Sequence, residues 1–257
     1  MSDQSLRIGV RVAPQHCTFS QMRDAWLRAE DAGADTLFTW DHFYPLFGDL
    51  EGAHFECWSL LAAIAEATER IHFGALVSCN SYRNPNLLAD MARTVDQISG
   101  GRLILGLGSG WFERDYAEYG YEFGTAPERL RQLEKSLPVI MERLGRLHPA
   151  PVGDVPILIG GSGEKVTLRL VAQYADGWNS FGPPEHFAAK NRVLDEWCAR
   201  LDRNPTQIER TVGIQATEAG DWQAYLDAGA EHIIVMAGPP FDLDPVRKLL
   251  EVARATT

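Results

Sequence analysis

Hydrophobic and polar positions alternate along this chain in two rhythms. The short runs "RIGVRVA" (7–13), "DTLFTWD" (35–41) and "IHFGALVS" (71–78) are apolar at alternate or continuous positions, the pattern of strands buried on one or both faces. Between them apolar residues recur three and four apart, as with Met22, Trp26 and Ala29 in "TFSQMRDAWLRAEDAG", and again in "FECWSLLAAIAEATER". The first of these helices stops at Gly33. A third, "NPNLLADMARTVDQISGG", opens on Asn84 as N-cap with Pro85 at its first position and closes on Gly100 and Gly101.

The alternation continues to the end. "RLILGLGSG" is the fourth predicted strand, followed by a loop and a helix over 127–144; "PILIGG" is the fifth, followed by "EKVTLRLVAQYADG". "GWNSF" is the sixth, with a helix through 185–202. "IERTVGI" and "HIIVMAG" are the seventh and eighth, with short helices at 221–228 and 244–255. Eight strands, each followed by a helix and joined without polar linkers, predict an α/β fold, one (β/α)8 barrel over residues 1–257. A doubly wound open sheet would need fewer units or a second domain.

In such a barrel the chemistry gathers at the C-terminal ends of the strands. The second strand ends in "WDHFYP", where Asp41 could hold His42 or a ligand and His42 could move protons; the alternative is a polar strand end bonded to the next loop. The third ends in the small polar run "SCNSY", with Arg83 beyond it as the one basic residue near the mouth, free to pair with a nearby Asp or Glu. The fourth ends in "GLGSGW", where Gly106, Gly108 and Gly110 strip side chains from one face, either for a ligand or for close backbone packing. The fifth runs into "GGSGEK", a ready anion site at a helix start or else a turn capped by Ser162 or Glu164. The spacing of the fourth-strand glycines is not the GxGxxG of a dinucleotide fold.

Composition narrows this further. A formal charge of −11 disfavours nucleic-acid binding. Cys17, Cys57, Cys79 and Cys198 lack CxxC spacing, so neither a zinc site nor a disulfide framework is expected. No leader-like or membrane-spanning run is visible in the sequence, and the expectation is a cytoplasmic protein without a membrane partner.

Taken in order, "DHF", "FECWSLLAAIAEATERIHFGALVS", "YRNPNLLADMARTVDQISGGRLILGLGSGWFERDYAEYGYEF" and "PILIGGSGEKVTLRLVAQYADGWN" resemble the luciferase-like monooxygenase superfamily, most closely its coenzyme F420-dependent oxidoreductase branch. The resemblance implies a hydride transfer between the deazaflavin and a small organic substrate at the barrel mouth. It places Asp41 on the polar edge of the cofactor. Val77 and Ser78 would lie at a bulge, often holding a non-prolyl cis peptide, behind the cofactor ring. Gly108, Ser109 and Gly110 would flank the ring, and Gly160, Gly161, Ser162 and Gly163 would hold the phosphate. His42 and Glu113 become the acid/base candidates, with Tyr44 and Trp111 as aromatic walls of the substrate pocket. Lys165 and Arg169 are assigned to the cofactor phosphate or to the surface.

Two departures stand out. Sugar-phosphate dehydrogenases of the family carry a glutamate directly after the fourth-strand glycines, where this chain has Trp111. The connection "RLHPAPVGDVP" is shorter than the family's usual insertion, which suggests a pocket wall missing or supplied by a neighbouring subunit. Family members are commonly homodimers. An FMN-dependent monooxygenase fed by a partner flavin reductase is the alternative activity, although many flavin-using relatives carry Glu-His where this chain has Asp-His. A barrel that binds a cofactor without turnover is the third reading.

Overall fold

The computed structural model describes residues 6–255. Its strands are β1 (Arg7–Val12), β2 (Thr36–Thr39), β3 (His72–Ala75), β4 (Ser78–Cys79), β5 (Leu103–Gly108), β6 (Ile157–Gly160), β7 (Gly177–Phe181), β8 (Glu209–Gln215) and β9 (His232–Ala237). All pair in parallel in the order β3-β2-β1-β9-β8-β7-β6-β5-β4, and a β3–β5 pairing closes the sheet into a barrel. The predicted barrel is therefore the observed one, its third strand divided into β3 and β4.

That division is a bulge. Gly74 pairs with Ile104 and Ser78 with Leu107, so four steps on one strand oppose three on the other. The peptide bond between Leu76 and Val77, inside the bulge, is cis. Gly106 sits where a side chain would strike the Ala75 carbonyl, and a Cβ at Gly108 would lie 2.5 Å from Cγ2 of Val77. Close packing thus accounts for Gly106, while Gly108 provides the seat for Val77.

The helices are α1 (Phe19–Ala32), α2 (Cys57–Ala67), α3 (Pro85–Ser99), α4 (Glu113–Tyr119), α5 (Ala126–Leu144), α6 (Thr167–Tyr174), α7 (Pro184–Arg200), α8 (Trp222–Asp227) and α9 (Asp244–Ala255). Met22, Ala25, Trp26 and Ala29 form the buried stripe of α1, which ends on Gly33 in the left-handed region. Asn84 caps α3 as its sequence predicts, accepting the Asn86 N–H. The main core lies between strands and helices. A smaller cluster of Phe38, Leu76, Ile104, Leu158 and Ile234 fills the barrel axis. Among the described residues, no helix is long and apolar enough to cross a membrane.

The "RLHPAPVGDVP" connection lies at the end of the barrel remote from the mouth, which corrects its expected role as a pocket wall. It joins the end of α5 to the start of β6, and its Val152 and Gly153 N–H groups donate to Asp96 at the C-terminal turn of α3. A helix-to-strand connection reaches only the face where strands begin.

Arg102 ties the same face together. Its buried guanidinium donates five hydrogen bonds, to the Ser99, Ile71, Ala65 and Thr68 carbonyls and to Thr68 Oγ1. Arg102→Met strands these acceptors and is expected to cost about 3 kcal/mol, read as a lower urea midpoint with unchanged slope.

Candidate functional site

The C-terminal ends of β2, β4, β5, β6 and β7 surround a cavity of about 350 Å3. Asp41, His42, Val77, Ser78, Gly108, Ser109, Gly110, Trp111, Gly160 and Gly161 all line it, so ten residues named from sequence meet in one place. Leu76, Cys79, Tyr82, Asn179 and Phe181 complete the wall and were not singled out from sequence. The last two follow from "GWNSF", whose alternation puts Asn179 and Phe181 on one side of β7. A larger cavity of about 690 Å3, lined by Arg7, His72, Asp176 and Glu209 among others, opens at the opposite end, where strands begin. The mouth is the better candidate because the oriented histidine lies there.

His42 owes its orientation to a residue missed in the sequence. Asp115, fully buried on α4, accepts a 2.7 Å hydrogen bond from His42 Nδ1, another from the Tyr82 hydroxyl, and a third from the Phe43 N–H. With Nδ1 donating to a carboxylate, Nε2 is left as the basic nitrogen in the neutral ring. Trp111 and Phe112 meet the imidazole edge-on, with centroids 5.6 and 5.5 Å away. Trp40 lies behind it, its indole N–H donating to His54 Nε2. Burial, its largest cause, holds His54 down at a pKa of about 4, so it stays neutral and can accept that bond.

Glu113 is corrected by this geometry. It is exposed at the start of α4 and lies outside the cavity wall. The buried residues of α4 are Asp115 and Tyr116, and Glu113, two positions before Asp115, points about 200° away from it around the helix. Tyr44 is corrected as well: its ring packs under the Arg114 guanidinium and against Tyr119, away from the cavity.

Asp41 lines the cavity, but its oxygens are engaged. Oδ2 accepts from the Cys79 N–H and from Arg83 Nη1, and Oδ1 accepts from Arg83 Nη2. Arg83 also reaches Glu56, which caps α2 through the Trp58 and Ser59 N–H groups. Burial raises the Asp41 carboxyl pKa against the pull of Arg83 and the Cys79 N–H. Although burial opposes it, Asp41 lifts the Arg83 guanidinium above its ordinary value. The pair fixes the strand after the bulge to β2, and Asp41 also lines the cavity.

The surface left for a ligand is sparsely polar. Ser78 Oγ is buried in the wall without a hydrogen-bond partner, and Gly108 and Gly160 press against Val77 from below. Neither Ser162 nor Gly163 reaches the cavity. Ser162 Oγ is bonded to Ser180 Oγ, the Gly163 carbonyl accepts the Leu168 N–H, and the Gly161 N–H is taken by the Asn179 carbonyl. The capping alternative fails too: α6 begins at Thr167 without a side-chain cap, and the Glu164 side chain pairs with Lys190. Arg169 pairs with Glu134, and Lys165 is exposed.

The family model for luciferase-like monooxygenases matches residues 5–245. The chain belongs to this family. Among luciferase-like relatives, the F420-dependent glucose-6-phosphate dehydrogenase of Amycolatopsis mediterranei (strain U-32) is 29% identical over 244 residues, which cover 86% of this chain and 72% of that protein. An F420-dependent secondary alcohol dehydrogenase, solved in complex with an F420-acetone adduct, superposes with a TM-score of 0.86 at 16% identity, over 98% of this chain and 99% of the other. A type II Baeyer-Villiger monooxygenase in complex with FMN, the oxygenating constituent of 3,6-diketocamphane monooxygenase from the CAM plasmid of Pseudomonas putida, superposes at 0.66 and 16% identity. That match covers 84% of this chain and 70% of the other. These superpositions establish the luciferase-like barrel for this chain.

Proposed function

We propose that this protein is an oxidoreductase that holds coenzyme F420 across the barrel mouth and exchanges a hydride with a small organic substrate. The observation that carries the reading is the His42–Asp115 pair at a mainly apolar cavity whose wall holds one unpartnered hydroxyl, Ser78 Oγ. The cavity suits a ring backed by apolar surface: Val77, seated on Gly108 and Gly160, stands behind it, and Ser78 lies in the wall beside it. Ser162, Gly163 and the uncapped start of α6 are the groups nearest to hand for a phosphate beyond the rim.

When bound, the deazaflavin supplies the two-electron hydride acceptor or donor. The chain's part is proton management and exclusion of water. His42 Nε2 takes the proton of a substrate hydroxyl as its carbon–oxygen bond becomes a carbonyl, and returns it in the reverse direction. Asp115 stabilises the imidazolium formed and keeps Nε2 aimed at the cavity. Trp111, 63% exposed, is the wall against which a substrate would be pressed.

The second reading is an FMN-dependent monooxygenase, favoured by the FMN-bound neighbour of the same fold. A fluorescence titration with F420 and FMN separates the two. Tight F420 binding with weak FMN binding is expected. The reverse order would replace the proposal with the monooxygenase.

A further inference from the structure

Tyr82 shares the carboxylate that orients His42. After the bulge the chain runs through β4 into a single 3-10 turn, Asn80–Tyr82, which brings Tyr82 to the cavity wall. Its hydroxyl donates to Asp115 Oδ2 at 2.9 Å, the same oxygen that accepts His42 Nδ1 at 2.7 Å. Asp115 is fully buried, and its other oxygen takes the Phe43 N–H. The next residue, Arg83, holds Asp41, so two neighbours in sequence secure the two buried carboxylates of the site.

The ring of Tyr82 is placed independently of its hydroxyl. Phe43, Tyr116 and Tyr121 pack on it with centroids 4.7, 5.2 and 5.4 Å away. Loss of the oxygen alone leaves those ring contacts in place.

The shared oxygen decides what the hydroxyl does. A buried carboxylate stays ionised because donors replace the water it has lost. Each donor weakens the hold of a carboxylate on a proton, and here it weakens the hold of the His42–Asp115 pair as a unit. Tyr82 is the one side-chain donor to Asp115 besides His42 among the described residues. Without it the pair keeps its proton to a higher pH.

The other charged and titratable groups around the imidazole are matched or neutral. Asp41, on the same strand end, is paired with Arg83, which also holds Glu56. His54, reached through Trp40 from the loop before α2, has a pKa of about 4 and is uncharged at neutral pH. Arg11 of β1 lies over the Trp40 ring. Arg114, next to Asp115 on α4, is drawn away by Glu51 and the Leu50 carbonyl. Cys79 Sγ and the Tyr116 hydroxyl meet each other at 3.2 Å. Among the described residues, none of these is hydrogen-bonded to Asp115.

We propose that Tyr82 is a positioning residue that sets the pH at which the His42–Asp115 pair takes and gives up its proton. The consequence for turnover rests on the hydride-transfer reading; the titration itself does not. When a substrate hydroxyl is oxidised, the pair works unprotonated: the hydroxyl proton passes to His42 Nε2 as hydride leaves the carbon for the cofactor. In the reverse direction the pair works protonated and returns that proton to the oxygen.

Tyr82→Phe tests the assignment. In cofactor-free protein the His42 imidazole is titrated by NMR, with His42→Ala to identify its signals. Its midpoint is expected to move upward by about one pH unit in Tyr82→Phe, a tenfold tighter hold on the proton. In turnover, the lower limb of the oxidation profile and the upper limb of the reduction profile should rise by the same amount. Tyr116→Phe removes the same atom from the same aromatic cluster but bonds Cys79 rather than Asp115 through it, so its titration should stay in place. A moved midpoint without turnover on any substrate supports Tyr82 and defeats only the hydride-transfer reading. An unmoved midpoint in Tyr82→Phe overturns the proposal, whatever happens to stability, and so does an equal shift in Tyr116→Phe. Weaker F420 binding in Tyr82→Phe with the midpoint unmoved also overturns it, and makes Tyr82 a wall against the cofactor.

Discussion

His42→Ala is expected to bind F420 as the unsubstituted protein does and to transfer hydride about 10²- to 10⁴-fold more slowly, the contribution of a positioned acid–base group. Free imidazole should restore part of the rate. Asp115→Asn should fall in the same range for a different reason. An asparagine there keeps the shape but can donate its amide N–H to His42 Nδ1, which moves the ring proton to Nε2 and removes the base. The Phe43 N–H can still find an oxygen at position 115, so the loop after β2 should hold. Single-turnover rates measured beside cofactor affinities check both variants. Unchanged rates in His42→Ala would make the imidazole a wall of the cavity and no more.

Asp41→Ala is expected to act on stability first. It leaves the Arg83 guanidinium buried with only Glu56, and removal of one partner from a buried pair costs about 3–5 kcal/mol. For a chain of this size that lowers the melting temperature by on the order of 10 °C. F420 affinity should drop too, because the Cys79 N–H loses the anchor that ties the bulged strand to β2. Replacing both partners, as Asp41→Leu with Arg83→Met, should recover much of the stability, since two matched apolar groups leave no orphan charge. Thermal melts of the two single variants and the double one provide the comparison. An additive loss in the double variant would contradict the pairing.

The sequence made the barrel legible because each strand and helix announces itself locally. Capping at Asn84, the stop at Gly33 and the stripe of Met22, Trp26 and Ala29 are all short-range signals, and all are present in the structure. The strand ends were legible by position, which is why His42, Ser78, Gly110 and Gly160 meet in one cavity. Side-chain partners across long separations were not. Asp115 lies 73 residues from His42 and Arg83 lies 42 from Asp41, distances over which a sequence pattern carries no register. Glu113 was named because it stands two residues past the position where sugar-phosphate dehydrogenases of the family carry a glutamate, and the seven-residue α4 is too short for a period that would have pointed to Asp115.

In the proposed function this barrel mouth supports hydride exchange with a deazaflavin, with His42 moving the accompanying proton. Stopped-flow absorbance of stoichiometric F420 mixed with a panel of alcohols and hydroxy acids tests it most directly, with His42→Ala alongside. Single-exponential reduction of the bound cofactor by at least one substrate is expected, slowed at least a hundredfold in His42→Ala. Tight F420 binding with no reduction by any member, or turnover only with reduced FMN and oxygen, would contradict it.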